Sequence, residues 1–364
     1  MFKISIKPAW QLELADGTHP LPQLVNLLVH VRESGTLAAA CHRLGMSYRH
    51  GWGLLREGRR LFGVPLAKME RGRGAVLTPL GEKLVWADKR ISARLSPMLD
   101  SLASELEVEV ERALTDVRSI LHLHVSHGFA VETLREWLAR EQVPIDLKYR
   151  NSQEVLISLA HGNCDLASFH VPVGEFQSAA LHHYRRWLRP ASQRLILLAT
   201  RRQGLMLARG NPKRIHSIAD LARKDVTFVN RQPGSGTRLL FDLLIEQAGL
   251  DREAIRGYDN SEFTHAAVAA YVASGMADAG LGVETAARRF DLDFRHIATE
   301  RFFFICAAKT LSQPMLGRVL EILRSDGFRR AVNQLAGYDA QGCGTVCTLT
   351  EALPELAGPR QAVA

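Results

Sequence analysis

The sequence predicts an α/β chain in three parts: short helices with a hairpin, one long helix, and a two-lobed α/β domain. Three observations predict it. Between Thr36 and Gly81 an Ala/Leu-rich helical stretch and a basic one flank a glycine turn, and a Gly-rich basic tip follows between two short strand patterns. From Pro79 onward apolar residues recur every three or four positions for some 35 residues. After Asp116 the pattern switches to strands alternating with helices, and does so twice.

Taken in order, residues 2 to 14 alternate Phe2, Ile4, Ile6 and, past Pro8, Trp10, Leu12 and Leu14, up to the turn signal Asp16-Gly17. That spacing predicts a small strand or hairpin. Pro22 to Ser34 reads as a helix with Leu24, Leu27, Leu28 and Val31 on one side. Leu37, Ala40, Cys41 and Leu44 mark a second, which Gly45 ends. Ser47 offers an oxygen to cap a third helix, with Tyr48, Arg49 and His50 in its first turn and an apolar row of Trp52, Leu55 and Phe62. Lys68 to Leu77 reads as a two-stranded hairpin with Arg71 and Arg73 at its tip, and Thr78-Pro79 opens the long helix. Leu80, Leu84, Ala87, Ile91, Leu95, Met98, Leu102, Leu106 and Val110 stripe it, with Pro97 a possible kink. A stripe of that length suits a partner helix from a second copy of the chain.

The formal charge of +8 is informative once located. Between Arg43 and Arg94 twelve basic residues stand against four acids, an excess equal to that of the whole chain. A positive field concentrated there points to a polyanion.

In the remaining two-thirds, Ile120 to Val125, Ile145 to Tyr149 and Cys164 to Phe169 read as strands, with helices over Phe129 to Arg140 and Ser152 to Ala160. The pattern recurs with strands at Val226 to Asn230, Ile255 to Tyr258 and Ala277 to Leu281, and helices over Ser235 to Ala248 and Thr264 to Ser274. Arg301 to Cys306 returns as an apolar strand, followed by helices at Gln313 to Ser325 and Phe328 to Leu335. One α/β lobe interrupted by another, with chain crossings near 200 to 204 and 298 to 302, is the plan of a hinged clamshell. The expected boundaries are 1–78, a linker and dimerisation helix at 79–115, a two-lobed domain at 119–345, and a tail at 346–364. Within the domain, lobe I takes about 119–200 and 300–345, and lobe II about 203–298.

Candidate ligand groups gather at the carboxyl ends of these strands, where open α/β sheets bind their ligands. Arg231, Gly234, Ser235, Gly236, Thr237 and Arg238 form a glycine turn at a helix start, whose N–H groups suit an oxyanion or carboxylate. Ser126 and His127 follow the first strand, Asn151 and Ser152 the second, His170 the third, and Thr264 and His265 open a helix in the other lobe.

Glu33 to Trp52, with Leu77-Thr-Pro-Leu-Gly-Glu82, resembles the winged helix of ModE-type molybdate-responsive regulators, kin to LysR-type regulators. The resemblance covers roughly residues 1 to 114. It implies a winged helix-turn-helix on double-stranded DNA, with Tyr48, Arg49 and His50 at the bases, Arg56, Lys68, Arg71 and Arg73 at phosphates or the minor groove, and Ser47 and Trp52 also in the DNA-binding set. Gly162 to Val171, Arg209 to Pro212, Phe228 to Arg238, and Thr264 to Val268 with Gly275 to Gly282 resemble periplasmic-binding-protein-like sensor domains. Together these resemblances imply a dimeric or higher-order transcription regulator with a small anionic effector: molybdate, tungstate, formate, another small acid or a molybdenum-cofactor-related species; the alternative is a two-lobed small-molecule-binding protein or enzyme whose winged helix serves protein contact. This chain departs from the ModE pattern in lacking its small oligomer-binding sensor fold.

Other classes are disfavoured. His122, His124, His182 and His183 lack the spacing and partners of a zinc site, and no cofactor is called for. Cys343 and Cys347 form a solitary CxxxC, a weak redox signal. Ser126 and His127 are neighbours without a nucleophile elbow, so no enzyme is expected. No apolar run approaches a membrane span and no secretory signal is present, which predicts a cytoplasmic protein.

Overall fold

A computed structural model describes residues 3–70, 74–114 and 120–357. Two compact units emerge, Lys7–Leu95 and Met1–Ile6 with Ser96–Ala364.

In the first unit, β1 (Gln11–Leu14) and β2 (Gly17–Pro20) pair antiparallel about Asp16-Gly17. Helices α1 (Pro22–Ser34), α2 (Leu37–Arg43) and α3 (Tyr48–Phe62) follow, then an antiparallel hairpin of β3 (Ala67–Glu70) and β4 (Gly74–Leu77). Thr36 caps α2 and Ser47 caps α3, each accepting the N–H three residues on. The core joins Leu24, Leu27, Leu28 and Val31 of α1 to Leu37, Ala40, Cys41, Leu55 and Leu66. The inner face of α3 differs from the expected Trp52, Leu55, Phe62 row. Its buried positions are Gly51, Leu55 and Gly58, and Trp52 is 51% exposed. A Cβ on Gly51 would stand 2.4 Å from Cys41 Sγ, and one on Gly58 2.7 Å from Leu66 Cδ1, so bare glycines set how closely α3 packs. The helix α4 (Pro79–Leu114) runs through Pro97 without interruption and belongs to both units.

The second unit is built on one ten-stranded sheet. Lobe I contributes β5 (Leu121–Val125), α5 (Phe129–Arg140), β6 (Ile145–Tyr149), α6 (Ser152–Ala160), β7 (Leu166–Pro172) and α7 (Gln177–Tyr184). The chain then enters β8 (Gln193–Leu207), passes through β9 (Phe228–Arg231), α8 (Gly236–Gln247), β10 (Ser261–Glu262), α9 (His265–Ala273), β11 (Ala279–Val283) and α10 (Glu284–Arg289), and returns along β12 (Asp293–Ala307). Helices α11 (Pro314–Arg324) and α12 (Asp326–Asn333) and strands β13 (Tyr338–Asp339) and β14 (Val346–Thr348) complete it. The order is β10-β9-β11-β8-β12-β7-β5-β6, with β13 and β14 also on β8.

The βαβ units give parallel β5–β6, β5–β7 and β9–β11 pairs, as alternating strands and helices require. The crossings are not short linkers. They are β8 and β12, two 15-residue antiparallel strands that span both lobes with register shifts between His296 and Ala298 and between Phe302 and Phe303. Gly204 sits at the first shift, where a Cβ would stand 2.1 Å from Arg295 O. Alternation along β12 sends Phe302 and Phe304 into one core of lobe I and Phe303 and Ile305 into the other. Lobe II has its own cores around Phe228, Phe241 and Leu281, and around Met206, Val229 and Val268.

Two expectations give way here. The strand expected at Ile255–Tyr258 is a turn, and the short edge strand comes later at Ser261–Glu262, because Ile255 and Tyr258 are buried into the core beneath α8. The tail expected from 346 is structured through 357. Here β14 pairs with β8, and Leu349 and Leu353 are fully buried against Phe169 and Leu195.

Candidate effector-binding site

At the strand ends of the two lobes the structure assembles a buried polar cluster. Ser126 directly follows β5 and His170 lies in β7. Arg201 and Gln203 lie in β8, Glu300 in β12, Arg231 ends β9, and His265 begins α9. All are at most 9% exposed. On the lobe I side, Ser126 Oγ and His170 Nε2 form a short hydrogen bond, and Ser168 Oγ accepts from Ser126 N at 2.7 Å and lies 3.2 Å from Ser126 Oγ. Arg201 Nη2 donates to His170 Nδ1 at 3.2 Å, Arg201 Nε donates to Glu300 Oε1, and Tyr338 OH lies 3.5 Å from Arg201 Nη1.

That chain of bonds fixes protons. Arginine only donates, so Nδ1 of His170 accepts and its proton sits on Nε2, aimed at Ser126 Oγ. Burial, then the positive charges of Arg201 and Arg231, hold His170 well below the ordinary imidazole pKa, so it is neutral. An imidazole that donates to a serine is not its general base, which argues against a Ser–His nucleophile at this place. With His170 donating to Ser126 Oγ, the Ser126–Ser168 pair retains an O–H donor for another acceptor.

The lobe II side holds a cation whose bonding is incomplete. Arg231 is 4% exposed. Its Nη2 donates to Phe263 O at 2.6 Å, while Nε and Nη1 are buried with no hydrogen-bond partner among the described residues. Burial, and then the nearby Arg201 charge, push its pKa down to about 9, with Glu300 opposing. Glu262, in register with Arg231 on β10, is buried beside it. His265 is held neutral by burial and by Arg231, Arg201, His170 and His127. A guanidinium held out of water with free N–H groups suits an anion that supplies both charge and acceptors.

The remaining expected residues fall into distinct roles. Ser235, Asn151 and Thr264 are helix N-caps, accepting from Arg238 N, Glu154 N and Ala267 N. Ser152 Oγ accepts Gly236 N at 3.1 Å, so the α8 N-terminus expected to cradle the anion is already partly satisfied by protein. Gly234 has φ +80 and packs on Asn151 across the lobes. Thr237 Oγ1 accepts from Gln203 Nε2 at 3.1 Å. Arg238 turns away, pairing with Asp242 at 3.0 Å and stacking on Tyr258. His127 leans on Tyr149 and lies 3.0 Å from Glu132. Ser168, Arg201, Gln203, Glu300 and Tyr338 were not anticipated; a charge inside each of two long apolar stretches was the available signal. Larger voids lie elsewhere, such as a groove of about 410 Å³ lined by Trp187, Arg189 and Lys309.

In the first unit, Ser47, Tyr48, Arg49, His50, Trp52, Arg56 and Lys68 are all exposed. Arg71 and Arg73 lie outside the described residues. Among those described, no three His, Cys, Asp or Glu side chains are placed to hold a metal ion, and no helix is long and apolar enough to cross a membrane. Cys343 is buried and its thiol is pushed up to about 12, which makes it a poor thiolate.

Comparison with known proteins places the second unit. The chain is 33% identical over 246 residues to the uncharacterised protein YvgK of Bacillus subtilis, covering 67% of this chain and 79% of that one. It is 32% identical over 94 residues to the molybdenum-pterin-binding protein MopB of Rhodobacter capsulatus, covering 25% of this chain and 35% of MopB. Among solved structures, CbnR, a LysR family transcriptional regulator, aligns over 85% of this chain and 98% of its own at 18% identity, with a TM-score of 0.38. The family model for the PBP superfamily domain matches residues 134–324, more than half of the chain and most of both lobes. Through that region the chain belongs to the PBP superfamily.

Proposed function

We propose that this chain is a DNA-binding transcription regulator whose two-lobed domain senses a small anion. The observation that carries the sensing half is Arg231, a buried guanidinium with two nitrogens lacking hydrogen-bond partners, at the junction of the lobes. A deprotonated oxyanion or carboxylate meets those groups, with the spare hydroxyl of the Ser126–Ser168 pair as a further donor. Molybdate and tungstate head the candidates, supported by the resemblance of the first unit to ModE-type regulators and by the likeness to a molybdenum-pterin-binding protein. Formate and other small acids fit the same chemistry.

The DNA half rests on α3. Its buried seam of Gly51, Leu55 and Gly58 leaves Tyr48, Arg49, His50, Trp52 and Arg56 facing outward. That is how a winged helix-turn-helix offers its recognition helix to the major groove. Dimerisation is supported by Met98, Leu102, Leu106 and Leu114, which are 41–66% exposed at four- and eight-residue spacing along α4. The test is twofold. Duplex from the chain's own upstream region should retain the protein and release it as salt rises. Melting with molybdate, tungstate, formate or acetate should shift upward for at least one, and no shift with any would remove the anion reading.

A further inference from the structure

The sensing reading leaves open how the state of the cleft reaches the rest of the chain, and the bonds of β6 suggest a route. Among the described residues this strand is the edge of the sheet, paired with β5 alone. Its outward amides do not face water. Leu147 N donates to Ser104 Oγ at 2.9 Å and Tyr149 N to Ser101 Oγ at 3.0 Å, both serines belonging to α4. Ser101 is oriented for this, because its own proton goes to Pro97 O at 2.8 Å and leaves its lone pairs for Tyr149. Ser104 is 1% exposed. A second tie holds the same stretch of α4: Asp100 accepts from Arg135 of α5 at 2.6 Å and from Ser96 at 3.0 Å.

Just past the C-terminal end of β6 the chain touches lobe II. Three residues beyond Tyr149, Ser152 Oγ accepts Gly236 N, and Gln153 N donates to Gly234 O at 3.1 Å. Asn151 and Glu154 lock that corner with a reciprocal capping box. The chain from Tyr149 to Ser152 spans at most about 10 Å, too short to absorb a displacement as slack. Helix α5 likewise starts directly after Ser126-His127-Gly128.

We propose that α4 reads the cleft through β6: the serine bonds at Leu147 and Tyr149 and the lobe contact at Ser152–Gly236 lie on one six-residue stretch, the end of β6 and the first residue of α6, so opening the lobes loosens α4. This rests on the sensing reading for its purpose, but its test needs neither ligand nor DNA. Hydrogen exchange on the full chain would compare wild type with two wedges placed from opposite walls, Ser152→Trp and Gly236→Trp. A wedge should free the Gly236-region amides and raise exchange at Leu147, Tyr149 and residues 96–114 roughly tenfold, the equivalent of losing one hydrogen bond. Unchanged protection of α11 shows that the fold persists. With Ser101→Ala and Ser104→Ala added, the wedge should still free the cleft, while α4 stops responding to it.

The proposal is overturned if the cleft amides are released and 96–114 stays as in wild type, or if α4 responds equally without the two serines. Wedges that leave the Gly236-region amides protected overturn it too, since the contact would then not hold the lobes together. A chain that ignores duplex DNA, or that binds none of the anions, would sink the regulator reading and leave this result standing.

Discussion

Replacing Arg231 by methionine should make the ligand-free protein more stable, not less. Methionine keeps most of the stem's volume and removes the charge. With the pKa driven from the usual guanidinium value down to about 9, the charged form carries a penalty on the order of 5 kcal/mol at neutral pH, an upper bound because buried sites relax. Against this stand the lost bond to Phe263 O, about 1 kcal/mol, and imperfect packing of the thioether, about another 1 kcal/mol. A net gain of about 1–3 kcal/mol remains, or roughly 2–10 °C in Tm for a unit of this size. The sign with pH is determined. Below about 9 both folded and unfolded wild type are protonated at Arg231 and the penalty is full. As pH rises through about 9 the folded form sheds the proton and the difference shrinks. Urea unfolding at pH 7 and 9.5, with and without the anion that stabilises wild type, measures all of this. The variant should also lose the anion's stabilisation. A variant less stable than wild type by more than about 1 kcal/mol would refute the account, because Arg231 would then be satisfied in ways the bonding does not show.

Other expectations follow from single residues. Arg49→Ala should erase preference between the specific and a scrambled duplex while leaving general affinity within a few fold, measured by fluorescence anisotropy at fixed salt; equal loss on both would take Arg49 off the bases. His170 and His265 are held neutral by burial and neighbouring arginines, so the unfolded chain gains protons first. Stability should be full above about pH 6.5 and fall below it by up to roughly 1.4 kcal/mol per pH unit for each histidine, a slope that His265→Gln should reduce in acid unfolding curves. Gly204→Ala places a Cβ 2.1 Å from the Arg295 carbonyl oxygen, backbone against backbone, and should lose about 3 kcal/mol or more. Near-neutral urea stability would show that the two long strands can slide there.

Local chemistry decided much of what the sequence could reveal. Thr36, Ser47, Asn151, Ser235 and Thr264 announce helix starts because a side-chain oxygen three residues ahead of an N–H is a property of the chain itself. Spacing also located α1 to α3, the β3–β4 hairpin, α4 and the parallel βαβ units. The same chemistry leaves the site ambiguous in the sequence. An N-cap and an anion cradle both need oxygen or N–H groups at a helix N-terminus, so a linear reading could not tell Ser235 as a cap from Ser235 as a ligand. Only packing could place Arg201 and Glu300, about a hundred residues apart, opposite each other on β8 and β12. Only packing could leave Arg231 short of partners while Arg238, seven residues on, found Asp242 and Tyr258. Whether a buried charge is neutralised depends on what the rest of the fold brings within about 4 Å of it, and no local pattern carries that distance.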